Sequence, residues 1–158
     1  LDEKEAGGSL FDKLSAAGAK LCVETLQKIE AGEVQPEKQG ESPTAYAAML
    51  TKYMGKIDWT KDAVSIERLV RGLNPWPSAY TKLNGKTLKI WECKVIPLDA
   101  SKGACGEILE VTKDSVIVQT GDGALAIREL QLEGKKRMDA GSFLRGFHVE
   151  PGTILAME

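Results

Sequence analysis

Residues 79–96 read Ala79-Tyr80-Thr81-Lys82-Leu83-Asn84-Gly85-Lys86-Thr87-Leu88-Lys89-Ile90-Trp91-Glu92-Cys93-Lys94-Val95-Ile96. Two runs, Ala79–Leu83 and Lys86–Ile96, flank Asn84-Gly85, the dipeptide that best tolerates the positive φ angles of a two-residue hairpin turn. The second run changes phase midway. Leu88 and Ile90 put apolar groups on even positions, and Trp91, Cys93 and Val95 put them on odd ones. A bulge or sharp coil there would keep both sets inside a closed barrel. Downstream, residues 107–111 and 115–120 flank a turn at 112–114, and residues 120–130 are broken by Asp122-Gly123, a second hairpin signal. Upstream, Thr60 can cap a helix with Ile66, Leu69, Val70 and Leu73 on one face and Lys61, Arg68 and Arg71 on the other. Asn74-Pro75 ends it, because a residue before proline is driven out of the helical region. A short late helix at 140–145 is capped by Asp139 and stopped by Gly146. Short strands, tight hairpins, one packed helix and no β-α-β alternation predict an α+β fold, a small OB-like β-barrel.

The residues before this unit have another character. Residues 9–31 read as one long amphipathic helix, with Ser9 as N-cap and Asp12 three residues on. Leu10, Leu14, Ala17 and Leu21 recur at helical spacing, Leu26 and Ile29 extend the stripe, and Gly32 stops it. Pro36, Gly40, Ser42 and Pro43 then interrupt any period. Tyr46, Met49, Leu50 and Tyr53 are apolar anchors that should lay this connector along a surface. The expected organisation is helix 1–33, linker 34–58 and barrel 59–158.

Across 158 residues, 42% are hydrophobic and 28% charged, with net charge −2. That composition buries a core and gives no overall polycationic signature, so any nucleic-acid site must be a local face. The apolar runs are too short to span a membrane and no signal peptide is visible. Three cysteines without C-x-x-C spacing argue against a disulfide framework or zinc ribbon and fit a reducing compartment. Cys22 and Cys93 read as small core hydrophobes, and Cys105 as a loop residue. Leu1 in place of Met reads as the start of a fragment.

No nucleophile, base or metal set assembles. The single histidine, His148, has no sequence-local aspartate partner and reads as structural or solvent-exposed. Gly121-Asp122-Gly123 lacks the glycine spacing and following helix of a phosphate loop, so it reads as a hairpin turn. Two basic features remain. Lys135, Lys136 and Arg137 are adjacent, and Arg68 and Arg71 are three apart on one helical face. Clustered cations suit a phosphate backbone, and equally a solvated charged face. Trp76, between Pro75 and Pro77, reads either as a base-stacking ring or as a rigid packing corner.

Several stretches together resemble the methionyl-tRNA formyltransferase family. They are Ile57-Asp58-Trp59, the run 66–77 ending Asn74-Pro75-Trp76-Pro77, Leu88-Lys89-Ile90-Trp91, Thr120-Gly121-Asp122-Gly123, Gly134-Lys135-Lys136-Arg137-Met138 and Phe143-Leu144-Arg145-Gly146. The resemblance implies a parent enzyme that moves a formyl group from 10-formyltetrahydrofolate to the amino group of initiator methionyl-tRNA. In that family a Rossmann-like N-terminal domain holds the folate and the catalytic Asn, His and Asp, all upstream of Leu1. The resemblance therefore implies no catalytic, cofactor or metal residue here, and the long helix becomes a remnant of that missing domain. Lys52, Lys56, Arg68, Arg71, Lys135, Lys136 and Arg137 are its expected tRNA contacts. Met49 stands where the family commonly has Lys. The implied parent is monomeric, not membrane-bound, and cytoplasmic or in an organellar matrix. Alternative readings are the same domain of a formyl-folate hydrolase or sugar-amine formyltransferase, or a barrel that only packs on its own catalytic domain.

Overall fold

The computed structural model describes residues 1–97 and 102–156. Six strands form one antiparallel sheet: β1 (Ala79–Leu83), β2 (Lys86–Ile96), β3 (Ile108–Val111), β4 (Val116–Gln119), β5 (Ala124–Leu132) and β6 (Met138–Asp139). Neighbours run β1-β2-β5-β4-β3, with β6 also on β5. Among the described residues three α-helices accompany the sheet, α1 (Gly7–Glu30), α2 (Ala63–Gly72) and α3 (Ala140–Gly146), with a 3-10 turn at Lys52–Gly55. The mixed helix-and-sheet class follows the sequence reading.

The β1–β2 turn has Asn84 and Gly85 both at positive φ, as a type I′ hairpin requires. The phase switch in β2 holds for Leu88, Ile90, Cys93 and Val95 but not for Trp91, which stays on the outer face beside Lys89 and Arg137. The register of β2 on β5 shifts between Ile90 and Glu92 and again between Glu92 and Cys93, so Leu88 and Ile90 are buried and Cys93 and Val95 still pack on the core.

The expected closed barrel is not formed. β1 and β3 end the path, and among the described residues no ladder joins them. β3 has four residues and a register shift after Ile108, too little regular edge for a second ladder. Residues 153–156 lie across the gap instead. Lys82 and Ala156 exchange N–H···O bonds at 3.1 and 3.0 Å, Ile108 N–H donates to the Thr153 carbonyl at 2.8 Å, and Leu155 N–H donates to the Gly106 carbonyl at 2.8 Å.

One hydrophobic cluster joins α2, α3 and the sheet. Ile57 and Trp59 enter it fully buried, and Trp59 Nε1–H donates to Thr81 Oγ1 at 3.1 Å. Ile66, Val70 and Leu73 of the α2 region face inward as their spacing predicts. The α2 cap is Asp62, not Thr60. Asp62 accepts from Ser65 N–H at 2.8 Å, whereas the Thr60 hydroxyl is taken by Asp58 at 2.6 Å. The Thr120–Gly123 turn seats on the start of α2. Gly121 N–H donates to the Lys61 carbonyl and Ala63 N–H to the Asp122 carbonyl, both at 2.9 Å. A Cβ on Gly121 would lie 1.9 Å from the Thr60 carbonyl oxygen, so only glycine allows this approach. α3 is capped by Asp139, which accepts from Ser142 N–H at 2.7 Å.

α1 begins two residues before the predicted Ser9. Its N-cap is Ala6, and Ser9 supplies the bonding from inside the first turn by accepting Ala6 N–H at 3.0 Å. Gly32, at positive φ, ends it. Gly32 N–H donates to the Ile29 carbonyl and Glu33 N–H to the Lys28 carbonyl, a Schellman motif. No α1 residue is buried, and Cys22, expected in a core, is exposed with Leu14, Leu21, Leu26 and Ile29 of the stripe, while Leu10 is half-buried. Of the connector's expected anchors, Leu50 is 43% exposed and the other three lie open. Tyr46 is 93% exposed, and Met49 and Tyr53 are nearly as open.

Candidate nucleic-acid interface

β5 is followed by a turn in which Gly134 takes positive φ and Lys135 N–H donates to the Leu132 carbonyl at 2.9 Å. The turn lifts Lys135, Lys136 and Arg137 into solvent. They do not act alike. Arg137 leads into β6, which pairs Asp139 with Glu129 of β5. Its guanidinium therefore reaches back to the Glu129 carboxylate, donating from Nε to Oε1 at 2.8 Å and from Nη2 to Oε2. It also sits 4.6 Å from the ring centre of Trp91, a cation–π geometry. The bonded carboxylate raises the Arg137 pKa further.

Arg71 is committed in the same way. It donates to both oxygens of Glu67, at 2.9 and 3.3 Å, and from Nη1 to the Glu5 carbonyl at 2.8 Å. It thus clamps the residues just before α1 onto the end of α2, and Glu67 raises its pKa. Arg68, three residues away, is exposed and makes no ion pair among the described residues. Lys52 and Lys56 flank the 3-10 turn and are exposed, and Lys56 forms a bridge with Tyr80 of β1.

The Asn74–Pro77 corner is a joint. The Asn74 amide donates to the Trp91 carbonyl at 3.2 Å, and the Asn74 carbonyl accepts Gly8 N–H at 2.8 Å. Both proline peptides there are cis. Pro77 is buried, but Pro75 is exposed and Trp76 is 55% exposed, so Pro77 and not the indole makes the packing corner.

The remaining candidates carry no chemistry. Burial pushes the Cys93 thiol up to about 12, which keeps it protonated and inert. Exposed His148 lies 2.9 Å from Glu150. Among the described residues no three His, Cys, Asp or Glu side chains gather as a metal site, and no helix is long and apolar enough to cross a membrane. The core void, lined by side chains such as Leu83, Ile108 and Phe143, measures about 10 Å³ and is apolar. A folate needs a slot with hydrogen-bonding groups for its pterin edge, and this void supplies neither.

A sheet domain carrying a cationic turn and a long unpartnered helix has known counterparts. The family model described as the formyl transferase C-terminal domain matches residues 49–148. The chain belongs to this family. It is 57% identical over 154 residues to the methionyl-tRNA formyltransferase of Agathobacter rectalis, covering 97% of this chain and 49% of that protein. It is 44% identical over 160 residues to the methionyl-tRNA formyltransferase of Bacillus subtilis, covering 99% and 50%. The chain spans about half the length of these curated relatives. HypX from Aquifex aeolicus, solved in complex with tetrahydrofolic acid, shares the fold at a TM-score of 0.61 and 22% identity, over 95% of this chain and 27% of that one.

Proposed function

We propose that this chain is the C-terminal half of a methionyl-tRNA formyltransferase, in which it holds the initiator methionyl-tRNA while an upstream half performs formyl transfer. The observation that carries the reading is the 57% identity across nearly the whole chain to a relative of that name. In this reading 10-formyltetrahydrofolate and every catalytic residue belong to the upstream half. Residues 1–33 are the last helix of that half, 34–58 the linker, and 59–158 the tRNA-binding domain. The five-strand path with a helix across it supports describing this domain as an open relative of the OB-like barrel. The parent acts as a monomer in the cytoplasm, with an organellar matrix as the alternative.

The contacts expected from sequence are Lys52, Lys56, Arg68, Arg71, Lys135, Lys136 and Arg137; Arg71 and Arg137 are taken up by Glu67 and Glu129, which leaves Lys52, Lys56, Arg68, Lys135 and Lys136 as the proposed phosphate contacts. A formyl-folate or a sugar presents at most one compact anionic group, whereas the expected cations are spread from Lys52 to Lys136, which favours an extended polyanion over the hydrolase and sugar-amine alternatives. Pure 158-residue chain should show no turnover with 10-formyltetrahydrofolate and charged initiator tRNA, yet bind that tRNA with a salt-dependent affinity. Replacing Lys135 and Lys136 by Ala should weaken binding and flatten the plot of log affinity against log salt, by about 0.7–0.9 for each phosphate no longer neutralised. An unchanged slope in a folded double variant would make the pair a solvated surface, and turnover by the chain alone would overturn the division of labour.

A further inference from the structure

The strand register gathers charge that the sequence scatters. Ala79, Thr81, Leu83, Leu88 and Ile90 are buried, so the intervening Tyr80, Lys82, Thr87 and Lys89 stand on the outer face of β1 and β2. Tyr80 pairs with Lys89, and Lys89 pairs with Gln131. Lys56 bridges Tyr80 from the far side, and the Gln131 amide donates to the Lys135 carbonyl at 3.0 Å. One line across the sheet therefore runs Lys56, Tyr80, Lys89, Gln131, Lys135, with neighbouring strands about 4.8 Å apart. Lys89 and Gln131 also line a surface groove of about 250 Å³ with Thr87, Glu133 and Gly134.

Lys89 is the cation at the middle of this line. Its Nζ lies 5.7 Å from the Trp91 ring centre, and no carboxylate lies within ion-pair distance of it among the described residues. The aromatic ring steadies the side chain without cancelling its charge. The carboxylates nearby are occupied. Glu129 is held by Arg137, and Glu133 accepts Thr87 N–H at 2.9 Å in the field of Lys82 and Lys86. Cations alternating with the neutral hydrogen-bonding groups of Tyr80 and Gln131 suit an RNA backbone, which alternates phosphates with 2′-hydroxyls.

We propose that Lys89 is a direct phosphate contact at the centre of an RNA-binding face on the outer side of β1, β2 and β5, flanked by Lys56 and Lys135, and that Arg71 and Arg137 hold structure instead. This rests on the tRNA-binding reading above. The test is binding of folded initiator tRNA to the 158-residue chain across a salt series. Lys89→Gln should reduce the slope by about 0.7–0.9 and weaken binding roughly sixfold at about 0.1 M salt. Lys89→Arg should restore both, and Arg137→Gln should leave the slope unchanged while lowering the thermal midpoint. Wild-type binding that Lys89→Gln leaves untouched overturns the proposal and leaves the tRNA reading standing. Equal losses in Lys89→Gln and Lys89→Arg make the effect one of packing on Trp91 and also overturn it. A flattened slope in Arg137→Gln overturns the assignment of Arg137. Absence of binding by the wild-type chain at low salt overturns both readings.

Discussion

α2 turns Ala63, Ile66 and Val70 into the core within ten residues, while α1, at 24 residues, buries none. Both carry an apolar stripe at helical spacing, and both end in well-formed stops. What separates them is the partner. The sheet offers α2 a matching inner face, whereas α1 meets the domain only at its N-terminal end, through Gly8, Asn74 and the Arg71 clamp. Periodicity thus states that a helix needs a partner, and it does not state where in the protein that partner lies.

The largest contrast should come from truncating one residue in each region. Trp59→Ala removes a side chain that is 1% exposed and should cost about 3–5 kcal/mol in urea unfolding. Leu14→Ala, at 63% exposure, should stay within about 0.5 kcal/mol. An equal loss in Leu14→Ala would mean that α1 is covered in solution, and the comparison would break.

Glycine replacements should give opposite signs. Gly121→Ala drives a Cβ into the Thr60 carbonyl and should destabilise the sheet domain by about 1–3 kcal/mol. Gly18→Ala, with nothing within 4 Å of the new methyl, should stabilise α1 by about 0.5–1 kcal/mol, read as increased helical circular dichroism. Deleting residues 1–48 should then change the stability of the sheet domain little, by about 1 kcal/mol, because only a few hydrogen bonds join the two regions. A collapse of the fold on deletion would show that α1 supports the domain it barely touches.

The smallest effects are in acid. Hydrogen bonds from Ser65 and Ser142, side chain first and backbone second, hold the Asp62 and Asp139 carboxyls below their usual range. At the start of α1, the Lys13 ammonium and then the Ser9 hydroxyl bring Glu5 down to about 2. All three folded values lie below the unfolded ones. Their contributions are complete above the ordinary carboxylate range and are lost as pH falls through the lowered values. Asp62→Asn and Asp139→Asn should flatten the acid limb of the sheet domain's stability profile, and Glu5→Gln should lower only α1 helicity above about pH 4, with the difference from wild type vanishing as the carboxylate protonates in acid. An acid limb untouched by either aspartate variant would mean that other carboxylates set the acid stability of the domain.

The parts that were legible in sequence were those with local chemical instructions. Asn84-Gly85 fixes a turn, the phase switch at Trp91 marks a bulge, and Asp139 caps α3. β6 has two residues and no period to read, and the bridging at 153–156 has none either. Ala6 offers no side-chain oxygen to mark a cap, while Thr60 offered one that Asp58 had taken. In the candidate site, the spacing of Glu67 and Arg71 was readable as an i,i+4 pair and explains why Arg71 is occupied. Arg137 and Glu129 meet across a turn, and Lys56 and Lys135 lie on one line only through three strand pairings. Such coincidences belong to tertiary register and leave no local pattern.

The segment at 153–156 also gives the domain a schedule. A ribosome makes it after every strand whose edges it joins. Until those residues emerge, β1 and the approach to β3 offer unpaired N–H and C=O groups to any other nascent chain. A product cut short just after α3 would keep its core sequence and its cationic turn but lack the piece that hides those edges. Proteases and chaperones would meet that product as an open sheet, so protection of its edges waits on residues made after all six strands.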